Sequence, residues 1–183
     1  LERILGEGFN PIIQKIRQLR KPVVAAVNGV AAGAGANIAL ACDIVVAAES
    51  ASFIQAFSKI GLIPDSAGTF FLPRIIGFQK ASALMMLGEK VGAAEAENMG
   101  MIFRVFPDEN LIESATKIAE TLATMPTHGL WLTKKALNES AKNDLDGQLG
   151  IEDALQSEAG KTADYAEGVQ AFLEKRKPVF VGK

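Results

Sequence analysis

The chain has 183 residues, 49% of them hydrophobic, with 19 basic and 21 acidic side chains and a net charge of −2. That length and composition support one domain with a sizeable core, and the near balance of charge argues against a nucleic-acid surface. A single cysteine, Cys42, excludes an intrachain disulfide and points to a reducing, cytoplasmic setting, and no uncharged apolar run reaches the roughly 18 residues of a membrane span.

Residues 1–20 place Ile4, Ile12, Ile13, Ile16 and Leu19 at near-helical spacing among polar side chains, which predicts an amphipathic helix ended by Pro22 rather than a signal peptide. The chain opens with Leu1 already inside that helix, so a preceding segment is expected. "PVVAAVNG" is a short β-branched run closed by Asn-Gly and reads as a strand. The small-residue run "VAAGAGANIALACD" turns into a helix near Gly35–Asn37, and "DIVVAAES" is a second buried strand. "ASFIQAFSKIGLIP" is irregular. Asp65 then opens "SAGTFFLPRIIG", a helix start interrupted by Pro73.

"QKASALMMLGEKVGAAEAENMG" reads as helix, turn and helix, and "MIFRVF" as a late strand. Beyond it the pattern is helical, over about 108–124, 128–142, 147–160 and 164–176, with breaks at Pro126, Asp144 and Gly160. Strands alternating with helices, then an all-helical tail, give an α/β class with residues 1–107 as core and 108–183 as a helical region. Leu145, Leu149, Leu155, Val169 and Phe172 form an apolar stripe on that tail, expected to be an interface.

Several chemistries drop out. The lone histidine, His128, is expected at a helix start on the surface and cannot build a His-rich metal site. Ser66 lacks the upstream glycine of a nucleophile elbow, and "GAGAN" is only part of a dinucleotide fingerprint. Two features remain. In Ala32–Ala36 a strand turns into a helix, so free N–H groups and the positive end of a helix dipole converge, which suits a developing negative oxygen; close packing needs the same small residues. Asp65 fits two roles. It is a good N-cap for a following helix. It also has apolar neighbours in Leu62, Ile63, Phe70 and Phe71, and desolvation there would suit a carboxyl to taking and returning a proton.

The stretches "KPVVAAVNGVAAGAGANIALACDIVVAAESASF" (Lys21 to Phe53), "KIGLIPDSAGTFFLPRIIG" (Lys59 to Gly77) and "ADYAEGVQAFLEKRKPVF" (Ala163 to Phe180), in that order and at that spacing, resemble the enoyl-CoA hydratase/isomerase (crotonase) superfamily. Within it, "GAGANIALACDIV" followed by "QAFSKIGLIPDS" looks like the phenylacetate-degradation branch, whose members isomerise ring-epoxidised phenylacetyl-CoA to oxepin-CoA. The resemblance implies a crotonase-like spiral of β-β-α turns with a C-terminal helical trimerisation region, assembled as a trimer or dimer of trimers. It implies an acyl-CoA ligand, with coenzyme A part of the substrate and no separate cofactor or metal.

By the same resemblance Asp65 is the single catalytic acid/base, and the Ala34 backbone N–H is one of two oxyanion-hole donors. The other donor, with much of the adenine pocket, belongs to a segment before residue 1: about the first third of a usual member is absent. The two glutamates of the hydratases fall on Asn37 and Phe57, neither of which can take a proton from water. Asn37, Phe57 and Leu62 are expected to line the substrate pocket, and Asn37 to orient substrate or a water. Lys175, in the basic end "EKRKPVFVGK", is expected near the coenzyme A phosphates; a favourable charge at a helix C-terminus is the alternative. Ala67 replaces a glycine common in the motif. The first reading is an isomerase of acyl-CoA thioesters. The alternatives are a straight-chain 3-enoyl to 2-enoyl-CoA isomerase or hydratase, and a non-catalytic acyl-CoA-binding subunit.

Overall fold

The computed structural model describes residues 2–183. Backbone packing divides the chain into two units, one running up to Arg17 and over Val23–Lys117, the other made of Gln18–Pro22 and Ile118–Lys183.

The first unit opens on α1 (Glu2–Ile4), a π-helical stretch Leu5–Phe9, and α2 (Asn10–Gln18) in place of one regular helix. Asn10 N–H reaches back to Leu5 O. Gly6 and Gly8 permit the wider turn, and Pro11 has no N–H to restore the tighter pattern. Its strands are β1 (Val24–Val27), β2 (Val30–Ala32), β3 (Ile44–Ala48), β4 (Ser52–Ile54), β5 (Lys90–Gly92) and β6 (Arg104–Phe106). They form two three-stranded sheets, ordered β1-β3-β6 and β2-β4-β5.

The first four strands go to alternate sheets, and β5 then pairs antiparallel with β4. β1 pairs parallel with β3 (Val24 opposite Ile44), and β2 pairs parallel with β4 (Val30 opposite Ser52). Each β-β unit therefore stacks on the one before it, with α3 (Ala34–Leu40) linking the first to the second, and that is a spiral. β3 is buried along almost its whole length, as a parallel strand covered on both faces must be. The core gathers Ala36, Leu40, Val46, Phe53, Leu72 and Val91.

Two expectations change here. The helix after Asp65, α4 (Gly68–Ile76), starts three positions beyond the acid and runs through Pro73 without a break. A proline removes a single N–H donor, and fully buried Leu72 beside it anchors the helix. β5 appears where sequence gave only a turn before α6 (Ala93–Asn98), after α5 (Phe78–Leu87).

α7 (Leu111–Ala123) crosses the division between the units, and the second unit continues with α8 (Thr127–Ser140), α9 (Leu145–Ala159) and α10 (Ala163–Glu174). Asp144 caps α9 by accepting from Gly147 N–H at 2.9 Å, and Thr162 caps α10 by accepting from Tyr165 N–H at 3.0 Å. Leu145, Leu149, Val169 and Phe172 are exposed in the unit, but Leu155 is buried and so leaves the expected stripe: it is spent on the unit's own core. His128, in the first turn of α8, pairs with Glu158 at 3.1 Å and lies beside Trp131. No helix among the described residues is long and apolar enough to cross a membrane.

Candidate active site

Four of the expected site residues, with the Asp65 turn, lie in the first unit; Lys175 lies in the second. The small-residue turn begins at Gly33, whose φ of +52° is readily adopted only by glycine. Its N–H donates to Ile54 O at 2.8 Å, locking β2 to β4 at the point where α3 starts. Ala34 is the first residue of α3, so its N–H is one the helix itself cannot use. Phe57, buried in the 3₁₀ turn Ala56–Ile60, lies against Gly33: a Cβ there would stand 3.4 Å from Phe57 Cζ. Phe57 O accepts from Leu62 N–H at 3.0 Å, and the Leu62 side chain is exposed.

Asp65 is half-buried and does not cap α4. The cap position is Ala67, and no side chain bonds to the helix start there. The Asp65 side chain instead accepts from the Ser66 hydroxyl, Oγ to Oδ1 at 2.9 Å. Ser66 and Ala67 are both left-handed, with φ of +50° and +60°. For residues with a Cβ this is strained by about 1–2 kcal/mol each. Ala67, where the motif usually carries glycine, thus occupies a conformation that favours glycine. The expected apolar shield is partial, since Ile63 is 81% exposed and Leu62 and Phe70 are also open to solvent. Those three side chains do not shut the carboxylate off from water in the single unit.

Asn37 has no exposed surface. Its Nδ2 donates to Asp65 O at 2.9 Å, and its Oδ1 accepts from Gln55 Nε2 at 2.8 Å. Both of its polar atoms are thus turned into the chain, where it was expected to orient substrate or a water. Sequence reasoning missed Gln55 altogether and considered Ser66 only as a nucleophile. The one sequence signal was an amide, Asn37, inside the apolar run "GANIALA".

In the second unit, Lys175 ends α10 with φ +55°, and its side chain is exposed. The neighbouring Arg176 is committed within the chain, with Nη1 and Nη2 on the two Glu167 oxygens at 2.6 and 2.9 Å and Nε on Glu174 Oε2 at 2.6 Å. That pair of bonds, with the Val179 N–H, holds the Glu167 carboxyl down to about 2.

The whole chain, residues 1–183, matches the family model described as enoyl-CoA hydratase/isomerase. A 1,2-epoxyphenylacetyl-CoA isomerase of Escherichia coli K12 is 53% identical over 175 residues, covering 96% of this chain and 67% of that protein. A probable enoyl-CoA hydratase of Rhodobacter capsulatus is 48% identical over 183 residues, covering 100% and 71%. Among solved structures, a putative enoyl-CoA hydratase/isomerase from Mycobacterium abscessus superposes with a TM-score of 0.94 at 37% identity, covering 98% of this chain and 69% of that one. The chain thus spans about two thirds of the length of these relatives. It belongs to the enoyl-CoA hydratase/isomerase family, and its spiral of β-β-α turns is the crotonase fold.

Proposed function

We propose that the chain carries the proton-transfer half of an acyl-CoA isomerase, with a ring-epoxidised phenylacetyl-CoA as its substrate. In the proton-shift form of the chemistry, the Asp65 carboxylate takes a proton from one carbon of the acyl group. The electron pair left behind spreads onto the thioester oxygen, which the Ala34 N–H stabilises, and Asp65 returns the proton at another carbon. Ser66 holds Oδ1, so Oδ2 is the oxygen that moves the proton. The single observation that carries this reading is the isolation of Asp65: the two positions where hydratases keep glutamates are the buried, internally bonded Asn37 and the buried Phe57. Neither activates water. The 53% identity to an isomerase of that substrate supports the acyl group.

The reading includes coenzyme A held in part by Lys175, with no separate cofactor and no metal. It includes a cytoplasmic homo-oligomer, a trimer or dimer of trimers, joined through exposed Leu145, Leu149, Val169 and Phe172. A straight-chain 3-enoyl to 2-enoyl-CoA isomerase would use the same acid and the same N–H. The deciding experiment offers the purified protein three thioesters: the ring epoxide of phenylacetyl-CoA, a 3-enoyl-CoA and crotonyl-CoA. The epoxide should be turned over fastest and crotonyl-CoA hydrated weakly or not at all. Efficient hydration would sink the isomerase reading, and binding without turnover of any of the three would leave an acyl-CoA-binding subunit.

A further inference from the structure

The turn that presents Asp65 is gripped by groups that have no step of their own in the chemistry. The Asp65 carbonyl oxygen accepts two hydrogen bonds, from Asn37 Nδ2 and from Gly68 N–H, both at 2.9 Å. A carbonyl has two lone pairs, and both are used. The peptide that follows Asp65 is therefore fixed in its plane, and the chain beyond it is forced through two left-handed residues in a row, Ser66 and Ala67. Strained backbone of this kind persists only where its surroundings over-determine it.

The direction of the amide relay is dictated from the Asp65 end. A carbonyl can only accept, so Asn37 must present Nδ2 to it. That leaves Oδ1, which can only accept, facing Gln55, so Gln55 must present Nε2. Gln55 is itself buried, and its Oε1 has no partner. An unpartnered buried acceptor is a steady cost, and it follows from the orientation the relay imposes. Gly68 admits the amide: a Cβ there would stand 2.6 Å from Asn37 Cγ.

We propose that Asn37 is a positioning residue for Asp65, with Gln55 as the partner that must match its direction: through Nδ2 Asn37 holds the Asp65 peptide, and so the aim of its carboxylate. This rests on the isomerase reading above. The test compares Gln55→Glu, Gln55→Met and Asn37→Ser, each with kcat, KM and a melting temperature. Gln55→Glu keeps shape but, ionised, can only accept. It calls for a donor from Asn37, turning the amide over and setting Oδ1 against the Asp65 carbonyl. Gln55→Met removes the far bond and leaves the near one.

The expected result is a fall in kcat of about 10- to 100-fold for Gln55→Glu and Asn37→Ser, since small misplacements of a reacting group are costly. Gln55→Met should lose no more than about 5-fold, and KM should stay within about 2-fold in all three, because an interaction absent from substrate binding leaves KM alone. Should Gln55→Glu fail to fold, Asn37→Ser carries the same expectation. Folded variants with wild-type kcat, or with raised KM and unchanged kcat, would overturn the proposal. Asp65→Asn, measured alongside, separates the two levels: if it stays active the isomerase reading itself fails, and if it is dead while Gln55→Glu and Asn37→Ser are active, only the positioning role fails.

Discussion

Two turns in this molecule each hold an aspartate by hydrogen bonds, and they hold it in opposite ways. At the start of α10 in the second unit, Asp164 is 3% exposed and both its oxygens are taken, Oδ1 by Val181 N–H at 2.7 Å and Oδ2 by Gly182 N–H at 2.9 Å. Its own N–H donates to Lys183 O at 3.0 Å, so the acid clips the chain's last residues onto the helix. In the first unit the Asp65 carboxylate is half-buried, with the Ser66 hydroxyl on Oδ1. There the heavy bonding falls on the backbone carbonyl instead. A carboxylate saturated by amides fastens the chain; one whose peptide is pinned and whose Oδ2 has no partner among the described residues is the one the proposed chemistry uses.

Crossing the two substitutions is the sharpest way to break that contrast. Asp65→Asn should lower kcat by about 10²–10⁴-fold, the usual contribution of general acid–base catalysis, with thioester affinity and unfolding midpoint near wild type. A retained rate above about a tenth of wild type contradicts the role. Asp164→Asn should do the reverse. One backbone N–H loses its acceptor, for a loss of about 1–3 kcal/mol in denaturant unfolding, while kcat per folded molecule is unchanged.

Smaller effects test the rest of the α10 end. Lys175→Ala should raise KM for the thioester several-fold at low ionic strength, fade with salt and leave kcat alone, as for a point charge facing exposed phosphates. A fall in kcat at constant KM would move Lys175 out of binding. The smallest effect is acid-dependent. Because the Arg176 hydrogen bonds, then the Val179 N–H, pull Glu167 from 4.5 to about 2, its contribution is complete above about pH 4.5 and is lost as pH falls toward 2. Protection of the Val179 amide, measured against its intrinsic exchange rate at each pH, should therefore fall across that window, and unchanged protection would show the tie to be idle.

The sequence was legible where a residue's chemistry is local. β-branched runs located β1 and β3, and the break read at Asp144 falls directly before α9. The capping reading of Asp65 failed because nothing in "DSAG" signals two left-handed residues that carry side chains; the rule that reserves that region for glycine pointed elsewhere. β2, β4 and β5 have three residues each, too few for a two-residue period to show. The Asn37–Gln55 pair was out of reach for a different reason. It depends on β2 pairing with β4, which brings the end of one turn of the spiral to the start of the helix in the turn before.

The fit between Asn37 and Gly68 has a consequence for how this chain could change its reaction. Position 37 is where a hydratase of this family would need an acid, yet here that place is full: the side chain has no exposed surface and touches the one residue of the next helix that lacks a Cβ. A carboxylate at position 37 cannot donate to the Asp65 carbonyl as the Asn37 amide does. On the proposed role of Asp65, an acid at position 37 costs the Asp65 turn its amide donor. On that reading, exchanging one acid for the other involves position 37, its amide partner Gln55 and the turn after Pro64 together.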